Sequence, residues 1–148
     1  MTEPEPPAAI VRRVIPAPPE VVYDEWLDIE ALTEWMCPRP ARATKIELEP
    51  RVGGRFHIDV EDGGLLLYIE GEYVDLDRPH RLRFTWTCSV WPAAARDSVV
   101  TVTLEAHGDK QTLMTIHHAL LPPDLVAGHE DGWARIAEQL EESFRARY

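Results

Sequence analysis

PPDLVAGHEDGWARIAEQLEESFRARY, residues 122–148, is the stretch that decides how the rest of the chain must be read. Leu125, His129, Trp133, Ile136, Leu140 and Phe144 follow one another at steps of four, four, three, four and four, a single stripe down an α-helix. Glu130, Asp131, Arg135, Glu138, Glu141, Glu142 and Arg145 fall on the other side, which should face water. Pro122 and Pro123 mark the start, and Asp124 suits an N-cap or a first-turn acid. Burying each large apolar side chain of the stripe is worth about 1.5–3 kcal/mol. The preceding residues must therefore supply a surface for it. Whether that surface seals, or leaves room for a ligand, is the functional question.

Upstream of the helix the period is two. Thr44–Glu49 alternates up to Pro50, and Phe56, Ile58 and Val60 alternate with Arg55, His57 and Asp59. A long strand starts at Leu65 and runs to Asp75, where Gly71 suggests a bulge. Leu82, Phe84, Trp86 and Cys88 share a face, as do Val100, Val102 and Leu104, and then Met114, Ile116 and His118. Short polar or glycine-rich turns separate these runs, so the strands should pair as an antiparallel meander. Before them lie a strand at Ile10–Ile15 and two short helices. Val22, Trp26 and Ile29 recur at helical spacing in the first, opposite Glu20, Asp24 and Glu25. Asp28 caps the second, Ile29–Met36. Residues 1–9, rich in Pro and Glu, read as a disordered leader, and residues 10–148 as one domain.

The predicted class is α+β: a strand, two short helices, about six antiparallel strands and one long helix. A sheet of this size twists and curls. A helix laid over it makes contact along a line, which predicts a pocket near Leu125–Trp133 and close packing near Ile136–Phe144.

Charge narrows the partners. There are 26 acids against 15 Lys and Arg, a net charge of −11. No basic patch offers itself to nucleic acid or to an anionic membrane surface. Two distant cysteines, Cys37 and Cys88, and no secretory apolar segment near Met1 point to a reduced, cytoplasmic setting. No apolar run is long enough to span a bilayer.

WLDIEALTEWM at 26–36, GGRF at 53–56, GEYVDLDRPHRLRFTW at 71–86, VTVTLE at 100–105 and HEDGW at 129–133 occur in that order. Together they resemble the stand-alone bacterial proteins similar to the C-terminal domain of the activator of the 90-kDa heat-shock-protein ATPase. The resemblance implies a START-like, helix-grip fold, in a superfamily that includes ligand carriers, cyclases and stress proteins. It also implies a possible chaperone partner and either a monomer or a homodimer. Met36-Cys37 departs from the Trp-Gly often found there, and the eukaryotic activators carry a further chaperone-binding domain for which this chain has no counterpart.

Large aromatic side chains fill curved space imperfectly, and apolar pockets with few polar groups are common small-ligand sites. The expected cavity residues are Trp35, Phe56, Tyr73, Phe84, Trp86, Met114, His118, His129 and Trp133, around a small hydrophobic molecule. The same aromatics can instead form a solid core. His118 and His129 share inward faces and suit either an acid–base pair, with the Tyr73 hydroxyl in a cyclase or hydrolase, or hydrogen bonds to backbone carbonyls. No metal or other cofactor is expected: His117 and His118 point to opposite faces, and Glu130 lies off the stripe. Ser89, Ser98 and Ser143 lack a nucleophile-elbow setting, and Gly53-Gly54 precedes a strand rather than a phosphate-binding helix. Gly132 beside Trp133 suggests close approach of the helix to another backbone.

Overall fold

The computed structural model describes residues 7–92 and 98–147. Among them, seven strands form one curved antiparallel sheet: β1 (Ala9–Ile15), β2 (Arg42–Leu48), β3 (Arg55–Asp62), β4 (Leu65–Asp77), β5 (Arg81–Cys88), β6 (Ser98–Ala106) and β7 (Thr112–Ala119). Their spatial order is β1-β7-β6-β5-β4-β3-β2. Strands β2 to β7 are a meander, while α1 (Pro19–Glu25) and α2 (Ile29–Trp35) carry the chain from β1 at one edge to β2 at the other. A 3-10 turn at Pro123–Leu125 leads into the long helix α3 (Val126–Arg147). Asp124 is thus a first-turn acid of the 3-10 turn. Residues 1–6 of the expected leader lie outside the described residues, and Ala9 already pairs with His118 across β1 and β7.

The inward faces fall where the alternation puts them. Leu82, Phe84, Trp86, Val100, Val102, Leu104, Met114, Ile116 and His118 are all buried. On α3, Trp133, Ile136, Leu140 and Phe144 are buried and His129 is half-buried, as is Leu125 in the 3-10 turn before it. Helix α3 packs along β1 and touches α2, so it lies over one side of the sheet rather than sealing all of it.

Local structure departs from the expected pattern in the first helices and in β4. Ile29 is exposed and Glu25 buried, the reverse of what the spacing predicts. Asp28 is the reason: its carboxylate accepts the Ala31 N–H at 3.3 Å and starts a new helix, which resets the phase. Glu25 is then turned inward, where it accepts from Trp35 Nε1 at 3.3 Å and pairs with Arg147 at 2.7 Å. Gly71 marks no bulge; the register shift in β4 lies between Tyr73 and Asp75. Gly71 is instead a close-approach position, opposite Phe56 in β3. A Cβ there would meet the Thr85 carbonyl oxygen and would stand 2.7 Å from the Phe56 ring.

Gln139 lies on the inner side of α3 outside the predicted stripe. Its amide nitrogen donates to the carbonyls of Trp35 (3.1 Å) and Cys37 (2.8 Å), and its oxygen accepts the Arg39 N–H at 2.9 Å. One side chain therefore satisfies three backbone groups of the segment leaving α2. Gln139→Leu keeps the volume and strands those groups, so chemical unfolding should show a loss of about 2 kcal/mol. A loss under about 0.5 kcal/mol, the range of ordinary surface changes, would mean the clasp is dispensable.

Candidate functional site

Beneath the first half of α3, between helix and sheet, lies a cavity of about 350 Å³ that is open to solvent on one side. Val60 from β3, Leu67 and Ile69 from β4, and Trp86 and Cys88 from β5 form its floor. Met36, Cys37 and Pro38, just beyond α2, form one wall. The roof is one face of α3: Gly128, His129, Gly132, Trp133 and Ile136. Asp62 and Asp124, both exposed, stand at the mouth.

The glycines make this space. Gly128 and Gly132 are one helical turn apart, and a Cβ added to either meets no atom within 4 Å. The expected close approach of Gly132 to another backbone is therefore corrected: the glycine faces open volume. Glycine in a helix interior gives up about 1 kcal/mol relative to alanine. Gly132 is such a position, while Gly128 lies in the first turn of α3. Side chains there would stand in the cavity.

The nine expected cavity residues fall into three groups. Trp86, His129 and Trp133 line the 350 Å³ space. Phe56, Tyr73 and Phe84 surround, with Trp26 and Trp86, a separate void of about 20 Å³. That is about the room one water needs, and their rings are in edge or tilted contact, 5.5 Å between Phe56 and Phe84 and 5.6 Å between Phe56 and Tyr73. Trp35, Met114 and His118 line neither space. Trp35 and Met114 are fully buried, Trp35 because its indole is turned to Glu25 and packs against Trp26 at 4.9 Å. Met114 pairs with Arg13 of β1, in the closely packed part of the sheet.

His118 stands behind the cavity wall in a directed hydrogen-bond chain. Trp133 Nε1–H donates to His118 Nδ1 at 3.0 Å. The Ser98 hydroxyl donates to the Trp86 carbonyl at 2.5 Å, so at 2.8 Å from His118 its oxygen can only accept from Nε2–H. These partners assign the neutral Nε2–H tautomer. Burial, and then the neighbouring His129 and His117, push the His118 pKa down to about 3. Both ring nitrogens are committed, so His118 positions Trp133 and offers no free base.

His129 has a different setting. Its ring is in edge contact with His118 (5.3 Å) and with Trp91 (5.3 Å). Its Nδ1 donates to the Leu125 carbonyl at 2.9 Å, which leaves Nε2 as an acceptor. Burial lowers its pKa against the opposing pull of that carbonyl. The two histidines do meet, as their shared inward faces predict, but Tyr73 lines the other void. Burial raises the pKa of the Tyr73 phenol, with Tyr23 a smaller cause.

Residues that sequence reasoning did not place here are Gly128, Asp62, Leu67, Ile69, Cys37 and Cys88. Both cysteines are free thiols, and burial, followed by the charge of Asp62, raises the Cys37 pKa to about 11. Among the described residues no three His, Cys, Asp or Glu side chains converge as a metal site. No described helix is long and apolar enough to cross a membrane. A sequence signal for the cavity that the apolar stripe itself does not carry was the glycine pair Gly128 and Gly132, four apart and beside that stripe.

A curved antiparallel sheet holding a long C-terminal helix, with an apolar space between them, defines a START-like helix-grip domain. The chain belongs to the family described as activator of Hsp90 ATPase homolog 1-like protein, whose pattern matches residues 16–145. It is similar in structure to protein CV1439 from Chromobacterium violaceum, 27% identical over 93% of this chain and 96% of that one, with a TM-score of 0.81. The AHSA1 protein SPO3351 from Silicibacter pomeroyi is 20% identical, with 96% and 100% covered and a TM-score of 0.81. PFC0360w, an HSP90 activator from Plasmodium falciparum, shares the fold at 24% identity, 78% and 74% covered, and a TM-score of 0.62. Among curated proteins none matches the sequence.

Proposed function

We propose that this domain binds a small apolar or aromatic molecule under the first half of α3 and does no chemistry on it. The observation that carries the reading is the pair Gly128 and Gly132, which keeps volume open where helix stability favours a side chain. Trp86 and Trp133, 5.0 Å apart, supply aromatic surface to such a ligand. An enzyme built on His118, His129 and Tyr73 is less well supported, because His118 has no free nitrogen and Tyr73 lines the other void. An effect on a chaperone ATPase is a second reading, supported by family membership. It is tested by the chaperone's hydrolysis rate with and without this chain.

The neutral dye N-phenyl-naphthylamine should brighten on binding the wild-type protein and raise its melting temperature. Gly132→Leu, whose Cβ would meet no atom within 4 Å and whose side chain would occupy part of the space, should fold at least as stably and lose the dye. An unchanged emission with wild-type protein sinks the binding reading. Equal binding by Gly132→Leu would move the site elsewhere.

A further inference from the structure

The charges around the cavity are one-sided. Its lining holds no Lys or Arg among the described residues, and its only charged side chains are Asp62, at the end of β3, and Asp124, in the turn before α3. Neither carboxylate is paired with a described cation. The nearest arginines along the adjoining segment are engaged elsewhere, Arg39 with Glu142 at 3.6 Å and Arg42 with Glu61 at 2.7 Å. The third polar side chain, His129, has its Nδ1–H on the Leu125 carbonyl and so presents Nε2 as an acceptor. The Trp133 N–H is turned away to His118, leaving that indole to contribute its π-surface.

Resting on the binding function proposed above, the geometry points to a ligand class: an apolar, preferably aromatic body bearing a protonated amine or another hydrogen-bond donor. A fatty acid or aromatic carboxylate of the same size is disfavoured. The body fills the cavity against the exposed sides of Trp86 and Trp133, where a cation is also attracted to the ring faces. The ammonium group lies at the mouth, where Asp62 and Asp124 accept from it. A carboxylate in that place meets two like charges and no partner.

Three ligands with one naphthalene body test this: naphthylmethylamine, naphthalenemethanol and naphthoate. Affinities are read by tryptophan quenching on the full chain at neutral pH and low salt. Two solvent-exposed carboxylates acting together predict an amine about fivefold tighter than the alcohol, and an acid weaker than the alcohol. Asp62→Asn with Asp124→Asn should bring amine and acid together. Asp131→Asn with Glu138→Gln, which removes the same charge from the water-facing side of α3, should leave the preference in place. If the alcohol binds and the amine is no tighter than the acid, the ligand class is wrong while the binding function stands. The ligand class is equally wrong if the control pair abolishes the preference, which would then belong to the overall charge. If none of the three binds, both fail.

Discussion

Taken from pH 7.5 down to 4.5, the protein should lose about 2.5 kcal/mol of stability through one side chain, His118. In the unfolded chain this imidazole takes up its proton near 6.5, and in the folded protein only near 3. Between those values the unfolded state binds one more proton, so acid draws the equilibrium toward unfolding. The contribution is complete above 6.5 and declines by about 1.4 kcal/mol per pH unit as the pH falls toward 3. The cause is the burial of a ring whose two nitrogens already hold Trp133 and Ser98. His129, its pKa also lowered by burial, adds a slope of the same sign. Denaturant titrations at closely spaced pH values, on wild type and His118→Gln, isolate the His118 contribution. The variant is expected to start less stable, because Trp133 and Ser98 lose their partner, yet to fall less steeply. Parallel curves would contradict the burial of a neutral His118.

Gly71→Ala should cost about 3 kcal/mol and lower the melting temperature by about 10 °C. The added methyl has nowhere to go: it meets the Thr85 carbonyl on β5 and the Phe56 ring on β3. Thr85 is held in turn, since its hydroxyl accepts the Glu72 N–H at 2.9 Å. Full relief requires β4 and β5 to separate and Phe56 to leave its contacts with Tyr73, Phe84 and Trp86. The same change in a Phe56→Ala background separates the two clashes. There the ring is absent, so the remaining cost of Gly71→Ala should be smaller, and the difference measures the coupling between the residues. A wild-type melting temperature for Gly71→Ala would refute the close approach.

What could be read from the sequence was whatever depends on one element at a time. Period-two runs such as Leu82-Phe84-Trp86 carry their facing within themselves, and so does the stripe Trp133-Ile136-Leu140-Phe144. The motifs that resembled a family covered the arrangement between these elements, and the fold followed. What could not be read depends on a partner far along the chain. Glu25 is buried because Arg147 and Trp35 meet it, and nothing near Glu25 announces either. Gln139 looks like a surface residue until the segment after α2 is placed beneath it. The candidate site suffered most from this limit. In the sequence all inward aromatics look equivalent, whereas packing divides them. Phe56, Tyr73 and Phe84 meet one another over a void of about 20 Å³, and Trp86 and Trp133 border one of about 350 Å³. The division is set by side chains that are missing, at Gly128 and Gly132, and an absent side chain leaves no mark on an apolar stripe.

The position of β1 has a consequence for how the chain is made. Its ladder partner is β7, so Ala9 waits for His118 and Ile15 for Thr112. During synthesis the strands β3 to β6 can pair each with the one before, by local contacts that close quickly. β1 emerges first and is matched last, because a loop of roughly a hundred residues must close before its edge is covered. Until the ribosome has delivered β7, the apolar side chains of Val11 and Ile15 have no ladder to join. A nascent chain stalled before Thr112 therefore presents this strand to whatever binds unpaired edges.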